Sequence, residues 1–269
     1  MENITSKSNQ KIKYIKSLNE KKFRQKYSQY YLEGIKVVNE LLDMYNQRAI
    51  DILSIACSYD ILNKTKGGLS IISRLEKISN LEILNMDSDI FKTITDTVSP
   101  QGILAVLGIP ENSIDDINID TNILILDKLQ DAGNVGTIIR TADSFNVRTI
   151  ICLEGTTDVF SQKVLRSTMA SILRVNVIFV SNNELTENIN KIKNKGYNII
   201  GTSLQTDKYL SKDILNGKCA FVVGNEANGI SEEVIKECDN LVKIPMSSSV
   251  ESLNVACATS IILYEQFKN

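Results

Sequence analysis

Three segments of the chain join chemically able side chains to glycines that let a backbone approach a ligand closely. The first is Asp127-Lys128-Leu129-Gln130-Asp131-Ala132-Gly133-Asn134-Val135-Gly136, which opens a helix, with Arg140 about one and a half turns inside that helix. The second is Gly224-Asn225-Glu226-Ala227-Asn228-Gly229-Ile230-Ser231. The third runs from Ile244-Pro245-Met246 through Ser252-Leu253-Asn254. The chain has 0 histidines, which removes Ser-His-Asp and Cys-His triads, histidine metal sites and a histidine general base in one step. Chemistry must therefore run on arginine, lysine, carboxylates, hydroxyls, amides or a cofactor. No GxxxxGK[ST] occurs and no GxGxxG opens the first α/β crossover, so neither a P-loop nor a conventional dinucleotide site is expected. Each loop alone is also ordinary punctuation, with glycines for turns and Asn or Ser as helix caps, Asp131 among them. Three such loops at consistent strand ends point to a site.

The elements that must position these loops alternate regularly. Strands are expected at Ile123–Leu126, Thr149–Leu153, Val175–Val180, Asn198–Gly201, Ala220–Val223 and Leu241–Ile244. Helices are expected at Val135–Phe145, Ser161–Thr168, Leu185–Lys195, Ser231–Cys238 and Leu253–Phe267. Continuous apolar strands between amphipathic helices mean an α/β fold with a parallel sheet covered on both faces, whose site lies beyond the carboxyl ends of the strands. Before residue 110 the pattern is mixed. A helix at Lys36–Tyr45 and strands at Ile50–Cys57, Leu69–Ile72, Leu81–Leu84 and Ile103–Gly108 are expected, with a helix over Asp87–Ile94. Pro110 opens an acidic polar stretch that reads as a linker, giving a first domain at 1–109, a linker at 110–120 and a second domain at 121–269.

Residues 1–36 hold nine basic against three acidic residues, a net +6, interleaved with Tyr14, Phe23, Tyr27, Tyr30 and Tyr31. Lysine and arginine neutralise phosphates while rings stack on unpaired bases, so this stretch reads as an RNA-facing surface, with Lys7, Lys11, Lys21, Lys22, Arg24 and Lys26 as candidates. An amphipathic helix with its aromatics in the core accounts for the same composition. The whole chain carries only −2, so nucleic acid must be met by a local patch. At 43% apolar and 23% charged residues the chain reads as globular rather than disordered. No apolar run reaches the length of a membrane span, and the N-terminus has no secretory signal pattern. Five scattered cysteines without a CxxC pair exclude a zinc ribbon and a disulfide scaffold, which suggests a reducing cytoplasm and plain core packing; no metal is expected.

The motifs together resemble the SpoU/TrmH-like branch of the SPOUT RNA methyltransferases. Asn134, Gly136 and Arg140 match the family's first motif, Gly224, Glu226 and Gly229 its second, and Ile244-Pro245-Met246 with Ser252-Leu253-Asn254 its third. Ile4-Thr5-Ser6, Lys21-Lys22-Phe23-Arg24, Leu32-Glu33-Gly34 and Ser99-Pro100-Gln101-Gly102 look like the family's rRNA-type substrate-binding domain, which is similar to ribosomal protein L30e. Ser248 stands where the family usually has glycine, a departure that bears on the cofactor loop.

The resemblance implies an L30e-like domain followed by a parallel-sheet SPOUT domain with a C-terminal trefoil knot, in a homodimer that completes the site. It implies methyl transfer from S-adenosylmethionine to a ribose 2′-hydroxyl of RNA, most simply 23S rRNA. Arg140, Asn134, Glu226, Ser252 and Asn254 would be catalytic. Thr202, Ser203, Gly224, Asn225, Gly229, Ile244, Met246 and Leu253 would hold the cofactor. Glu226 would pair with Arg140 or meet substrate, and Arg166 and Arg174 would bind phosphate or build the dimer. Because a guanidinium is a poor proton acceptor, Arg140 would stabilise the developing alkoxide while water or an RNA phosphate takes the proton. A non-catalytic RNA-binding or ribosome-assembly protein and a tRNA methyltransferase remain alternatives, as does an antibiotic-resistance role.

Overall fold

Strands buried on both faces and helices buried along one stripe assemble two units. The computed structural model describes all residues except Asn118, Ser248, Val250 and Asn269, so the Ser248 departure lies outside the described residues. The chain divides into one unit of residues 1–109 with 160–166 and another of 110–159 with 167–269.

The first unit runs β1 (Glu2–Ile4), α1 (Gln10–Ser17), α2 (Lys21–Tyr27), β2 (Gln29–Glu33), α3 (Ile35–Asn46), β3 (Ile52–Cys57), α4 (Tyr59–Leu62), α5 (Gly68–Leu75), β4 (Ile83–Met86), α6 (Ser88–Phe91) and β5 (Ile103–Gly108). Its sheet has the order β1-β4-β3-β5-β2, with β5 antiparallel to both neighbours and the other pairs parallel. Ile12, Ile15 and Leu18 of the α1 region share a core with Tyr31, Leu84, Phe91 and Leu104.

The expected strand at Leu69–Ile72 is helix α5. Gly68, Ile71, Ile72 and Leu75 are its buried positions, a spacing of three and four that only a helix places on one face. The basic segment is not one helix but β1, α1, α2 and β2. Tyr30 and Tyr31 are buried, and the Tyr31 hydroxyl donates to Asn19 Oδ1 at 2.6 Å. These two rings therefore belong to the core rather than to an RNA-facing surface.

The second unit contains β6 (Ile123–Asp127), α7 (Ala132–Ser144), β7 (Thr149–Leu153), α8 (Gln162–Thr168, its first five residues grouping with the first unit), β8 (Asn176–Val180), α9 (Leu185–Asn194), β9 (Asn198–Thr202), β10 (Cys219–Gly224), α10 (Glu232–Glu237), β11 (Asn240–Val242) and α11 (Val255–Lys268). Every strand pair is parallel in the order β11-β9-β10-β6-β7-β8. On one face Ile123, Ile125, Ile151, Ile178, Ile199 and Val222 pack with Leu185, Ile189 and Ile192 of α9 and Val234 of α10. The stretch expected as a linker contributes Ile114 and Ile117 to this core, and Asn112 Nδ2 donates to Val177 O at 3.1 Å. Residues 160–166 leave this unit's cluster: within the first unit Gln162 Nε2 donates to Tyr31 O at 3.0 Å.

Met169 and Ala170, just after α8, have φ of 50° and 72°. Side chains pay about 1–2 kcal/mol for this left-handed conformation. Ala170→Gly is therefore expected to stabilise the protein by about 0.5–1 kcal/mol after the extra unfolded-state entropy of glycine is counted. The urea midpoint at constant m-value would show it.

Candidate active site

Register brings the loops together. Gly224 stands beside Asp127, Val222 beside Gly201, and Val242 beside Thr202, so β6, β10, β9 and β11 end in one row across the sheet. In a parallel sheet all four following loops then leave from the same edge, where ligands of open α/β folds bind.

The first loop is built from its own polar groups. Asp131 Oδ1 accepts from Asn134 N at 2.8 Å and caps α7, satisfying a backbone donor that the helix leaves orphaned. Gln130 Nε2 donates to Gly155 O, and Thr157 N donates to Leu129 O at 2.8 Å. The loop thus sits on the turn after β7. Asp127, buried to 1% exposure at the end of β6, accepts from Ser231 N at 2.6 Å. That aspartate, assigned no role from sequence, ties the first segment to the exit of the second. An acid ending an apolar strand was the available signal.

The second loop closes on itself. Asn225 Oδ1 accepts from Ala227 N at 3.0 Å and Asn228 N at 3.2 Å, while its amide donates to Lys128 O at 2.9 Å. Gly229 N returns to Asn225 O at 2.8 Å, with φ of 71° at Gly229. A Cβ on Gly224 would lie 2.2 Å from Gly229 C and 2.3 Å from Ile230 N, so this position admits no side chain.

Glu226 joins the loops. Its Oε1 accepts from Asn134 Nδ2 at 3.0 Å, and Asn254 Nδ2 donates to Asn134 Oδ1 at 3.0 Å. Asn254 Oδ1 in turn caps α11 through Ala256 N at 2.9 Å and Cys257 N at 3.3 Å. Burial works to raise the Glu226 carboxyl, but hydrogen bonds from the Asn134 amide and from backbone N–H groups, including those of Gln130 and Asp131, outweigh it and hold the group below the usual glutamate range. A depressed acid keeps its bonds at neutral pH and loses them only as pH falls through its lowered value. Glu226→Gln replaces one acceptor oxygen by a donor. We expect turnover to fall by about 10- to 100-fold with cofactor affinity changed far less, as separate kcat and calorimetric measurements would show.

Arg140 is exposed on α7, and none of its side-chain contacts among the described residues is an ion pair or hydrogen bond. The expected Glu226–Arg140 pairing is therefore replaced by Glu226–Asn134. An exposed guanidinium keeps its hydration and has no need of a carboxylate. Ser252 is exposed in the third segment. Arg174 is held by Asp143 at 2.8 Å, as is Arg148 at 2.6 Å, which satisfies Arg174 within the unit.

Among the remaining expected cofactor residues, Thr202 Oγ1 donates to Val222 O at 3.2 Å and Ser203 N to Val242 O at 3.0 Å, so both order the strand ends. Ile244 and Met246 are half-buried, while Leu253 is 37% and Leu204 56% exposed. Accessible apolar side chains beside loop backbone suit a ligand with a flat apolar base and a polar tail. Burial pushes the thiols of Cys57, Cys152 and Cys238 up to about 12 and that of Cys219 to about 11, so none of these four is a thiolate at neutral pH.

Two expected RNA contacts are corrected in the first unit. Arg24 is 3% exposed and donates to Leu18 O at 2.7 Å and Asn19 O at 2.8 Å, so it is a structural lock out of a phosphate's reach. Lys11 lies between Glu2 at 2.5 Å and Glu82 at 2.8 Å, its charge already matched. Lys7, Lys21, Lys22 and Lys26 remain exposed.

Residues 121–264, more than half of the chain, match the SpoU rRNA Methylase family. The chain belongs to this family. Residues 9–105 match the MRM3-like substrate binding domain. The chain is 32% identical over 264 residues to the 23S rRNA (guanosine(2553)-2′-O)-methyltransferase RlmP of Bacillus subtilis, covering 98% of each protein. Among solved structures it is similar to an AdoMet-bound rRNA methyltransferase from Sinorhizobium meliloti, with a TM-score of 0.81 at 26% identity over 99% of this chain and 97% of that one. A putative TrmH-family RNA methyltransferase from Porphyromonas gingivalis gives a TM-score of 0.78 at 31% identity, over 96% and 97%. As an enzyme of the SpoU family, the chain is an S-adenosylmethionine-dependent RNA 2′-O-methyltransferase.

Proposed function

We propose that the substrate is 23S rRNA and that the methyl acceptor is a ribose 2′-hydroxyl presented to Arg140. The observation that carries this reading is the hydrogen-bonded chain Glu226–Asn134–Asn254, which joins all three motif loops at the start of α7, the helix that also carries the exposed Arg140. The full-length likeness to a protein named for 2′-O-methylation of 23S rRNA supports the substrate. When bound, S-adenosylmethionine supplies an electrophilic methyl group. Gly224, Asn225 and Gly229 shape its backbone cradle, with Thr202 and Ser203 ordering the neighbouring strand ends. Ile244, Met246 and Leu253 form the apolar walls. Arg140 stabilises negative charge growing on the 2′-oxygen, and water or an RNA phosphate receives the proton, because a guanidinium with a pKa above about 12 does not. Asn134, Glu226 and Asn254 act through position, and Ser252 faces the nucleotide.

The same reading includes a homodimer. Ile261, Tyr264 and Phe267 of α11 are 38%, 51% and 62% exposed, and Phe145 lies 6.2 and 5.7 Å from the latter two rings. An apolar face of this kind is worth covering with a second copy. An L30e-like first unit, a C-terminal trefoil knot and a cytoplasmic location, where rRNA is modified, complete the proposal. Among the described residues no helix is long and apolar enough to cross a membrane.

The deciding experiment transfers labelled methyl from S-adenosylmethionine to unmodified 23S rRNA, 16S rRNA and bulk tRNA. Label confined to 23S rRNA at one site resistant to alkaline cleavage is expected. Label in tRNA alone would replace the substrate, and binding of cofactor and RNA without transfer would favour a non-catalytic assembly role.

A further inference from the structure

The corner between α1 and α2 holds an aromatic group that begins at the edge of the core, where Tyr14 packs, and runs out to the exposed ring of Tyr27. Inward positions here belong to Ile12, Ile15 and Leu18, all at 1% exposure or less, while Tyr14 and Phe23 are half-buried beside them and Tyr27 is exposed, the three rings in mutual contact. Phe23 and Tyr27, one turn apart on α2, are within 12° of parallel with centroids 6.3 Å apart. Tyr14 meets Tyr27 edge-on at 5.3 Å and fixes that ring from the side. The buried Arg24 guanidinium, bonded to the carbonyls of Leu18 and Asn19 that close α1, locks the angle between the helices. The rings are therefore held before any ligand arrives.

Cations surround them. Lys22 Nζ lies over the Phe23 ring, 4.9 Å from its centre, and Lys26 Nζ over the Tyr27 ring at 5.3 Å, so a base stacking there would move an exposed lysine aside toward its phosphate; Lys21 is exposed on the same short helix. The helix contains no acid; its neighbour Glu20 pairs with Lys22 at 2.8 Å. Tyr27 remains 37% exposed. Flat rings accept the faces of bases, and the lysines beside them accept phosphates, but only a strand whose bases are unpaired offers both at once. Duplex RNA hides its bases, and an acidic peptide has no flat face to match the pair.

We infer that Phe23 and Tyr27, braced by Tyr14, form a stacking platform for an unpaired nucleotide of the RNA substrate, with Lys21, Lys22 and Lys26 on its backbone. This rests on the RNA-methyltransferase reading above and adds to it a preference for a single-stranded segment apart from the methylated ribose. The platform acts on binding, not on the transfer step.

The test uses the full-length protein and a fluorescein-labelled single-stranded RNA 12-mer, with anisotropy read across a salt series. Phe23→Ala and Tyr27→Ala should each weaken binding about tenfold without changing the salt slope, since stacking releases no counterions. Lys22→Ala and Lys26→Ala should lower the slope by about 0.7 each. Tyr27→Phe should bind like the parent, and a duplex of the same sequence should not distinguish parent from the aromatic variants. Tyr27→Leu keeps bulk and loses the aromatic face, which decides the matter should alanine unfold the corner. Parental affinity for the single strand in Tyr27→Leu and Phe23→Ala would overturn the platform. If those variants instead change sedimentation from dimer to monomer, the occupant is a second copy and the platform falls. Methyl transfer by the parent separates these results from failure of the functional reading: a parent that neither binds nor methylates RNA removes that reading itself.

Discussion

Arg140→Ala is expected to reduce methyl transfer by at least about 10²–10³-fold, the cost typical of removing one preorganised charge stabiliser. Affinity for S-adenosylmethionine should stay within about twofold of the parent, because the guanidinium works on charge that exists only in the transition state. The exposed position of Arg140 on α7, without an ion pair among the described residues, means its loss leaves no buried carboxylate unpaired and should leave the unfolding temperature unchanged. Single-turnover transfer and calorimetric cofactor titration on one preparation separate these quantities. Arg140→Lys keeps the charge but loses the planar fork, so intermediate turnover is expected. Parallel loss of cofactor affinity would move Arg140 out of the acceptor site.

Gly224→Ala should do the reverse and abolish cofactor binding. The new methyl would sit 2.2 Å from a backbone carbon and 2.3 Å from a backbone nitrogen, neither of which can rotate away. The loop must shift as a whole, at a cost of about 1–3 kcal/mol or more for overpacking. Its Asn225–Gly229 closure should fail with it. Gly108→Ala is the matched control: nothing lies within 4 Å of its added methyl, so its stability should stay within about 0.5 kcal/mol of the parent. Equal cofactor affinity in Gly224→Ala and Gly108→Ala would show that the second loop does not shape the cofactor site.

The second unit was legible because its strands are buried on both sides. Ile123 to Leu126 and Thr149 to Leu153 each read as unbroken runs, and the structure places both in parallel strands, the first extended to Asp127. The first unit was less so. A run such as Leu69-Ser70-Ile71-Ile72 is too short for periodicity to separate strand from helix, and only its packing decides for a helix. Charge likewise conceals depth: Arg24 and Lys26 look alike in sequence, yet one locks a corner and the other lies open. The motif residues of the site were legible as types, but their pairings were not. That Glu226 meets Asn134 rather than Arg140 depends on how the loops close across the row of strand ends, which residue spacing does not encode.

The position of β10 has a bearing on synthesis. It lies between β9 and β6 although it follows both, and its partner Ile123 precedes Ala220 by almost a hundred residues. While the ribosome is still making residues 203–218, β6 and β9 both have open edges with no strand between them, a state prone to pairing with the wrong neighbour. The centre of the sheet closes only once Cys219–Gly224 has emerged from the exit tunnel. Formation of the row of strand ends that carries the three motif loops is thereby tied to translation of the last fifth of the chain, and premature termination before it yields a polypeptide destined for proteolysis rather than a weakened enzyme.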